Sequence, residues 1–191
     1  MTAAHGAIVL AAGASKRLGR AKQLVDIDGE PALRRVARSV LATDPRDCVV
    51  VLGHDAAHIE SALQGLAVRV LCIDDFDTGM AASLRAGVTA LDSKCAGALI
   101  ALTDQPALTA EHLRALCRAW RTAPQRAVAS AYDGVLGVPA VLPRAWFADI
   151  VALRGDVGAR ALLRARETNV LAVDAPELAR DIDTPDDVQG M

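Results

Sequence analysis

The sequence predicts an α/β protein in which a mostly parallel β-sheet is covered by helices on both faces. Short runs rich in β-branched residues alternate with segments of helical periodicity up to about residue 126, a pattern typical of parallel strands joined by helical crossovers. The run "CAGALIALTD" (95–104) is apolar on both faces and is therefore expected at the centre of the sheet. The 191 residues contain no linker-like or low-complexity stretch, so we predict a single domain over 1–191.

Three predicted strands with their following helices precede the central strand. The strands are expected at "GAIVLAA" (6–12), "DCVVVLG" (47–53) and "AVRVLCI" (67–73), and the helices at 30–43, 55–65 and 79–91. The first helix carries one apolar stripe, formed by Leu33, Val36, Ala37, Val40 and Leu41. The second helix is expected to stop at Gly65.

The second half of the chain begins with a helix and then changes rhythm. The helix over 109–120 is expected to start at Thr109, whose hydroxyl suits the N-cap position. Two β runs at 126–132 and 137–143 then flank the turn-forming "DGVLG", and a helix, a strand and a short C-terminal helix complete the chain. Ligands of such sheets bind beyond the carboxyl ends of the strands, so the loops there are the first place to seek a site.

Composition and charge exclude several classes of function. The net charge is −2, and the aromatic residues are two Trp, one Tyr and two Phe, which argues against a nucleic-acid or anionic-membrane partner. The four cysteines lie far apart without C-x-x-C spacing, as expected of reduced thiols in a cytosolic protein. The N-terminus lacks a signal-peptide pattern, and no apolar run is long enough to cross a membrane. We therefore expect a soluble, cytoplasmic protein.

The segment "IVLAAGASKRLGRAKQL" (8–24) predicts an anion-binding loop. Small residues at 11–15 follow the first strand and allow backbone N–H groups to approach a phosphate closely. Four cations then follow within seven positions: Lys16, Arg17, Arg20 and Lys22. The P-loop pattern fails because Gly19 is followed by arginine, and the dinucleotide fingerprint fails because its second glycine is missing. An ordinary turn with solvated basic residues is the alternative interpretation.

Two acidic segments are candidates for holding a metal ion. Asp104 comes just after the central strand, at the edge of the sheet where the loop is expected, although an aspartate at this place also suits a turn. Asp181 and Asp183 lie on one side of an extended segment. The helix start that follows, with Thr184 as N-cap, Pro185 and two first-turn acids, accounts for Asp186 and Asp187. Asp183 is therefore the second metal-ligand candidate.

Other kinds of site find less support in the sequence. Asp156 lies between two glycines ahead of a helix, where helix capping explains it equally well. His54 and His58 are four residues apart, but no third ligand accompanies them. A serine hydrolase is disfavoured because the chain has no G-x-S-x-G elbow.

The segment 9–24 resembles the signature L-A-x-G-x-S-x-R-M-G-x-x-K-x-L of nucleotidyltransferases of the molybdenum-cofactor type, the MobA-like NTP transferase family. The similarity continues in order through "GMAASLRAG", "LTDQPALT", "GVPAVL", "LRGDVGARALL" and "DIDTPDDV". Within that family the sequence is most similar to the molybdenum cofactor cytidylyltransferases. The resemblance implies a Rossmann-like three-layer α/β sandwich and a Mg²⁺-dependent transfer of CMP from CTP to the terminal phosphate of molybdopterin, with release of pyrophosphate.

The resemblance also implies roles for individual residues. Arg17 and Lys22 would be catalytic and bind the triphosphate, while Asp104 and Asp183 would ligate Mg²⁺. Ala12 stands where GTP-using relatives carry glycine, which favours CTP. The segment 153–160 would face the acceptor. The implied nucleotide-binding set is Leu10, Ala11, Ala12, Gly13, Ala14, Ser15, Arg17, Lys22, Gly79, Met80 and Ser83.

Departures from the family pattern keep the acceptor open. Relatives often have Asn before "TGM", whereas this chain carries Asp74, Asp75 and Asp77, which either face solvent or alter what binds. Leu18 and Leu142 replace a more usual methionine and aromatic residue. Alternative functions are transfer of another nucleotide, a sugar or polyol phosphate acceptor, an NAD(P)H-dependent oxidoreductase, and a carrier of molybdenum cofactor. The partners that the resemblance implies are CTP, a molybdopterin-type acceptor and a molybdoenzyme receiving the product.

Overall fold

Residues 3–189 are described by a computed structural model whose elements alternate as the sequence predicts. The strands are β1 (His5–Ala11), β2 (Asp26–Ile27), β3 (Glu30–Pro31), β4 (Cys48–Leu52), β5 (Arg69–Cys72), β6 (Gly97–Leu102), β7 (Ala127–Tyr132), β8 (Val135–Pro143) and β9 (Val170–Asp174). The α-helices are α1 (Ala32–Leu41), α2 (Ala56–Glu60), α3 (Met80–Ala90), α4 (Ala110–Thr122), α5 (Phe147–Ala152), α6 (Ala159–Ala165) and α7 (Pro185–Gln189).

Seven of these strands form one sheet in the order β5-β4-β1-β6-β8-β7-β9. The pairs β5–β4, β4–β1, β1–β6 and β7–β9 are parallel, and β8 runs antiparallel to both of its neighbours. The predictions of a mostly parallel sheet and of a central strand near residue 100 are confirmed, since β6 is the fourth strand of the seven. The chain passes from β1 outward to β4 and β5 and then returns to the other side of β1. This reversal opens a crevice at the carboxyl ends of β1 and β6.

The sheet is buried on both faces because helices cover each of them. Alternate residues of β1 enter two different clusters: Ala7, Val9 and Ala11 pack with α1 and α4, while Ile8 and Leu10 pack with α3 and α5. A strand of this kind reads as a continuous apolar run, as the first and fourth predicted strands do. The three-layer arrangement predicted from the sequence is thereby confirmed.

A third, smaller apolar cluster lies under the loop that follows β1. It consists of Leu18, Val25, Ile27, Ala32 and Ile182, all of them at most 7% exposed. The cluster joins the loop, the β2–β3 hairpin and the C-terminal segment. It therefore fixes these three parts of the chain against one another beside the crevice.

Several local predictions are confirmed and others are corrected. The Thr109 hydroxyl accepts a hydrogen bond from the backbone N–H of His112 at 3.2 Å, as an N-cap should. The helix expected over 55–65 is α-helical only at Ala56–Glu60, because the chain tightens into a 3₁₀ turn before Gly65 at φ +77°. Helix α5 and the β2–β3 hairpin, whose turn is formed by Asp28 and Gly29 at positive φ, were not predicted from the sequence. None of the described helices has the length and apolar character needed to cross a membrane.

Candidate active site

The loop after β1 leaves its amide groups free. Within residues 3–189, the backbone N–H groups of the five residues 13–17 donate to no protein acceptor. Ser15 takes a left-handed conformation (φ +51°), and its carbonyl accepts hydrogen bonds from Leu18 N at 3.0 Å and Gly19 N at 3.2 Å. The buried Leu18 side chain anchors the end of this turn. Successive free N–H groups on a fixed loop form a site suited to an anion.

The carbonyl groups of Ala11, Ala12 and Gly13, at the start of the same loop, accept hydrogen bonds from protein donors. The side-chain amide of Gln23 donates to the carbonyls of Ala11 at 2.7 Å and Gly13 at 2.9 Å. The carbonyl of Ala12 accepts a longer bond, 3.4 Å, from the backbone of His54. The backbone N–H groups of the loop, which carry partial positive charge, are thus left free, while the carbonyl oxygens at its start are hydrogen-bonded within the protein.

A cluster of two cations and two carboxylates lies beside the loop. The Lys22 ammonium is 2.7 Å from Asp104 Oδ2 and 3.5 Å from Asp183 Oδ1. Arg17 Nη2 is 3.0 Å from the other oxygen of Asp183. The side chains of Lys22 and Asp104 are only 19% and 15% exposed, whereas Arg17 is 74% exposed. We call these four residues the charge cluster, and Lys22 lies at its centre.

The backbone holds the two carboxylates together. The N–H of Ile182 donates to the carbonyl of Asp104 at 2.7 Å, which ties the C-terminal segment to the end of β6. Asp187 Oδ2 accepts from the backbone N–H groups of Asp183 and Thr184 at 3.0 and 2.7 Å. Asp187 therefore serves the start of α7, as predicted, and leaves the Asp183 carboxylate facing Lys22.

The donor set fits a magnesium ion that also binds phosphate. Asp104 Oδ1 is buried and has no hydrogen-bond partner among the described residues. No group of three or more His, Cys, Asp or Glu side chains suited to a metal occurs within residues 3–189. Mg²⁺ is commonly held by one or two carboxylates together with substrate phosphates and water. Asp104 and Asp183 supply two such carboxylates, one of them with an oxygen still unsatisfied.

Asp181 belongs to the same acidic region. Partial desolvation, together with the negative charges of Asp104 and Asp183, raises the pKa of Asp181 to about 6, although Lys22 and Arg160 act in the opposite direction. A carboxyl group with this pKa is partly protonated in mildly acidic solution. Desolvation is the largest cause of this shift, and the neighbouring carboxylates add to it.

Two adjacent cavities open at the crevice and share Gly13 and Lys22. The first, of about 220 Å³, is called the α3 cavity and is lined by Leu10, Ala11, Ala12, Gly13, Lys22, Gln23, Phe76, Gly79, Met80, Ser83, Leu102, Thr103, Asp104 and Asp156. The second, of about 190 Å³, is called the loop cavity and is lined by Gly13, Ser15, Lys16, Arg17, Leu18, Lys22, Ile182 and Asp183. The residues that the sequence assigns to the site all line one cavity or the other, except Ala14, which lines neither.

Two largely buried residues present hydroxyl groups to the α3 cavity that have no hydrogen-bond partner among the described residues. Ser83 and Thr103 are 6% and 3% exposed, and neither hydroxyl forms a hydrogen bond within the part of the chain that the structure describes. The remaining wall is largely apolar, with Leu10, Phe76 and Met80 among its residues. This combination of apolar surface and unsatisfied hydroxyls suits a small organic group with hydrogen-bonding atoms.

Asp156 lines the α3 cavity on the side of the segment 155–158 and forms its far wall. Gly79 has φ +114°, and a Cβ there would overlap the backbone of Gly155 and lie 2.6 Å from Asp156 N. Asp156 Oδ1 contacts the backbone N–H of Met80 at 3.4 Å. Asp156 therefore serves the start of α3 rather than the helix that follows it in sequence, α6, whose start has no side-chain cap.

The three acidic residues before Gly79 face solvent. Asp74, Asp75 and Asp77 are all exposed, and Asp75 pairs with Arg85 at 3.1 Å. Only Phe76, between them, lines the α3 cavity. Of the two explanations left open for these carboxylates, solvent exposure is the one that the structure supports.

Several lining residues were not identified from the sequence. Gln23, Phe76, Leu102 and Thr103 line the α3 cavity although the sequence assigned no role to them, whereas Asp156, which also lines it, belongs to the segment 153–160 that was expected to face the acceptor. The sequence gives one indication for Gln23, because it directly precedes the apolar pair Leu24 and Val25, and its side chain is 1% exposed. His54 and His58 form no metal site with other described residues.

Known proteins share both the sequence and the fold. A family model for the MobA-like NTP transferase domain matches residues 7–181. Over 93% of its length the chain is 33% identical to the nicotine blue oxidoreductase of Paenarthrobacter nicotinovorans, of which it covers 91%. Over 94% it is 31% identical to the purine catabolism protein PucB of Bacillus subtilis (strain 168), of which it covers 92%.

Solved structures superpose on nearly the whole chain. Rv0371c from Mycobacterium tuberculosis H37Rv has a TM-score of 0.86 at 25% identity, covering 98% of this chain and 97% of its own. A nucleotidyl transferase from Methanothermobacter thermautotroptrophicus has a TM-score of 0.82 at 25% identity, with coverages of 98% and 95%. The family match therefore covers most of the chain, and the superposed structures confirm the fold described above.

Proposed function

Because this chain belongs to the MobA-like NTP transferase family, we propose that it is a Mg²⁺-dependent cytidylyltransferase that transfers CMP from CTP to the terminal phosphate of a molybdopterin-type acceptor. One observation carries the proposal. Five free amide groups lie beside a half-buried lysine that contacts two carboxylates, at the carboxyl ends of β1 and β6. That arrangement supplies what a metal-bound triphosphate requires.

In this proposal the loop cavity binds the phosphates of the nucleotide, and the α3 cavity binds its base and ribose. The loop cavity, with its free amides and the side chains of Lys16 and Arg17, suits the phosphates. The α3 cavity, with apolar walls and the hydroxyls of Ser83 and Thr103, suits the base and ribose. Lys22 lines both cavities and would lie near the α-phosphate, where the two parts of the nucleotide meet.

The chemistry needs no protein nucleophile. An oxygen of the acceptor phosphate attacks the α-phosphorus, the bond from that phosphorus to the bridging oxygen breaks, and pyrophosphate leaves. Catalysis of such a transfer consists mainly of positioning and charge neutralisation. Lys22 and the loop amides would neutralise the negative charge that grows on the leaving pyrophosphate, and Asp183 would hold Arg17 in place for the same purpose.

Asp104 and Asp183 would hold the magnesium ion. When bound, Mg²⁺ neutralises phosphate charge and fixes the orientation of the triphosphate. The unsatisfied Oδ1 of Asp104 and the two-carboxylate donor set support this assignment.

The choice of CTP rests on Ala12. Its side chain is 3% exposed and lines the α3 cavity, so the methyl group narrows the cavity relative to glycine. The smaller space beside this methyl group is the observation that favours a pyrimidine over the larger purine bases. The molybdopterin-type acceptor rests on the sequence resemblance.

A second candidate function is hydride transfer with a nicotinamide cofactor. It is favoured by the 33% identical relative that is named nicotine blue oxidoreductase. The missing second glycine of the dinucleotide fingerprint weighs against it.

A thermal-shift panel with CTP, GTP, ATP, UTP or NADPH, each with and without Mg²⁺, separates these functions. Exclusive binding to the folded state at a hundredfold excess over Kd stabilises a protein by about 2.7 kcal/mol, which is readily measured. We expect the largest shift with CTP and Mg²⁺, followed by pyrophosphate release when a molybdopterin acceptor is added. A shift with NADPH alone would contradict the proposal and favour the oxidoreductase.

A further inference from the structure

We infer that Gln23 is a positioning residue of the nucleotide loop, which keeps the loop carbonyls away from the bound phosphates and directs Lys22 into the site. The inference rests on the proposed function and deepens it, because it identifies how this chain prepares its loop for a polyanion. Gln23 makes no contact with the phosphates in this role. It acts through the loop backbone and through its neighbour in sequence.

The Gln23 side chain closes a ring of hydrogen bonds. Its amide nitrogen donates to Ala11 O at 2.7 Å and to Gly13 O at 2.9 Å, which uses both of its N–H groups. Its Oε1 accepts from the Ser15 hydroxyl at 3.5 Å. That hydroxyl oxygen in turn accepts from the backbone N–H of Lys22 at 3.1 Å. The start and end of the loop are therefore joined through one side chain that is 1% exposed.

The amide group is the side chain best suited to this position. A carbonyl oxygen that faced a phosphate would repel it, so the two carbonyls must be satisfied from inside the protein. A glutamine supplies two N–H groups on one planar, uncharged head. Glutamate has the same length but cannot donate when ionised, and methionine has no donor at all.

Gln23 also determines the direction of the Lys22 side chain. Lys22, Gln23 and Leu24 form a 3₁₀ turn, in which adjacent side chains leave the backbone in different directions. Because the Gln23 side chain is fixed inward under the loop, the Lys22 side chain points into the crevice, where it meets Asp104. Loss of the Gln23 hydrogen bonds would therefore increase the mobility of both the loop backbone and the Lys22 side chain.

The test compares Gln23→Met with the wild-type protein. Binding of tripolyphosphate and of CTP, each with Mg²⁺, is measured by titration calorimetry, and kcat and KM are measured from pyrophosphate release. We expect Gln23→Met to weaken tripolyphosphate binding and to raise the KM for CTP at least tenfold at temperatures where it is folded. Gln23→Asn keeps the two N–H donors on a shorter side chain, so its tripolyphosphate affinity and its KM for CTP should lie between those of the wild type and Gln23→Met. It replaces Gln23→Met in the experiment if that variant does not fold.

Ser130→Ala is the matched control for lost stability. Its hydroxyl is fully buried and donates to Pro139 O at 2.7 Å, but it lines neither cavity. This variant should lower Tm and leave the Kd for tripolyphosphate within twofold. Wild-type affinity for tripolyphosphate in Gln23→Met, or no tripolyphosphate binding by the wild type, would overturn the inference. Binding without any pyrophosphate release would instead count against the proposed function alone.

Discussion

Lys22 is the residue through which the loop and the two acidic segments meet. It contacts Asp104 at 2.7 Å and Asp183 at 3.5 Å, and it lines both cavities. An ammonium that is 19% exposed between two carboxylates cannot be removed without leaving a partly buried negative charge unpaired. Its removal should therefore affect both the chemistry and the fold.

We expect Lys22→Ala and Asp104→Ala each to lower kcat about 100-fold or more, because each removes a charge contact made in the transition state. Pyrophosphate release at saturating CTP and Mg²⁺ measures this effect. Arg38→Ala is a suitable control, since it breaks only an exposed pair with Glu30 and should leave turnover unchanged. Full activity in either site variant would show that the charge cluster is not the catalytic centre.

His5 makes the stability of the protein dependent on pH. The imidazole is fully buried, with Nε2 2.9 Å from the Thr43 hydroxyl and Nδ1 3.4 Å from Arg121. Burial, with the positive charge of Arg121, lowers the pKa of His5 to about 4. The unfolded chain binds the proton more readily than the folded one, so the free energy of unfolding falls as the pH falls from about 6.5 towards 4.

Urea denaturation between pH 7 and pH 4.5 tests this dependence. We expect wild-type protein to lose about 2–3 kcal/mol over that range from His5 alone. The variant His5→Gln should lack this part of the loss, while sharing the contributions of all other groups. Parallel pH profiles for the two proteins would contradict the assignment.

Residues that belong to a motif can be identified from the sequence, whereas residues that reach the site only through the packing of the elements cannot. Arg17, Lys22, Asp104 and Asp183 were identified from spacing and resemblance, and the structure brings all four together. Thr103 lines the α3 cavity together with Ser83, which lies 20 residues away in the sequence, but no role was assigned to Thr103. No local pattern distinguishes a hydroxyl beside a cavity from one that is solvated, so only the packing of the elements reveals it.

At the scale of elements, the start of α3 depends on the close approach of two loops. Gly79 at φ +114° lies against the backbone of Gly155 and Asp156, and both Gly79 and Asp156 line the α3 cavity. Any side chain at residue 79 would push the segment 155–158 outward. The shape of the cavity is therefore set by a contact between two stretches of backbone.

We expect Gly79→Ala to destabilise the protein and to raise the KM for CTP strongly, because the new methyl group displaces the cavity wall. Gly65→Ala separates this effect from simple backbone strain, since Gly65 also has positive φ but a methyl group there would meet no other atom within 4 Å. The control should cost about 1–2 kcal/mol of stability without changing KM. Equal KM values in the two variants would show that the wall does not contact the nucleotide.

Elements with strong periodicity were predicted well, and short irregular ones were not. The apolar stripe of α1 is typical of a helix packed on a core, and the continuous apolar runs at β1, β4 and β6 are typical of buried strands. By contrast α2 and α5 contain only five and six residues, and each continues from or into a 3₁₀ turn. Tertiary packing, rather than local preference, decides the form of such short segments.

At the scale of the whole molecule, the sheet separates two apolar clusters that each contain one tryptophan. Trp120 lies fully buried on the face covered by α1 and α4, and Trp146 is 3% exposed on the face covered by α3 and α5. Both clusters include alternate residues of the same strands. The two halves of the core should therefore be lost together.

We expect the single-tryptophan variants Trp120→Phe and Trp146→Phe each to show one unfolding transition in urea, with fluorescence and far-UV circular dichroism giving the same midpoint. Agreement of the two probes within each variant would support the single domain over 1–191. Fluorescence that changes before the helical signal in either variant would show that one face of the sheet unfolds separately.

The charge cluster has a consequence for the order in which ligands bind. Under the proposed function, Mg²⁺ arriving alone would compete with the Lys22 ammonium for Asp104, and a triphosphate arriving alone would draw that ammonium away from a carboxylate that is only 15% exposed. Binding of either ligand alone would thus break the Lys22–Asp104 ion pair and give only one of the two residues a new partner. A nucleotide that already carries its metal would offer phosphate to Lys22 and the metal to Asp104 at the same time. We expect strong thermodynamic coupling, with the metal–nucleotide complex as the species that binds. Rapid-mixing experiments in which Mg²⁺ and CTP are premixed, or supplied from separate syringes, would measure it.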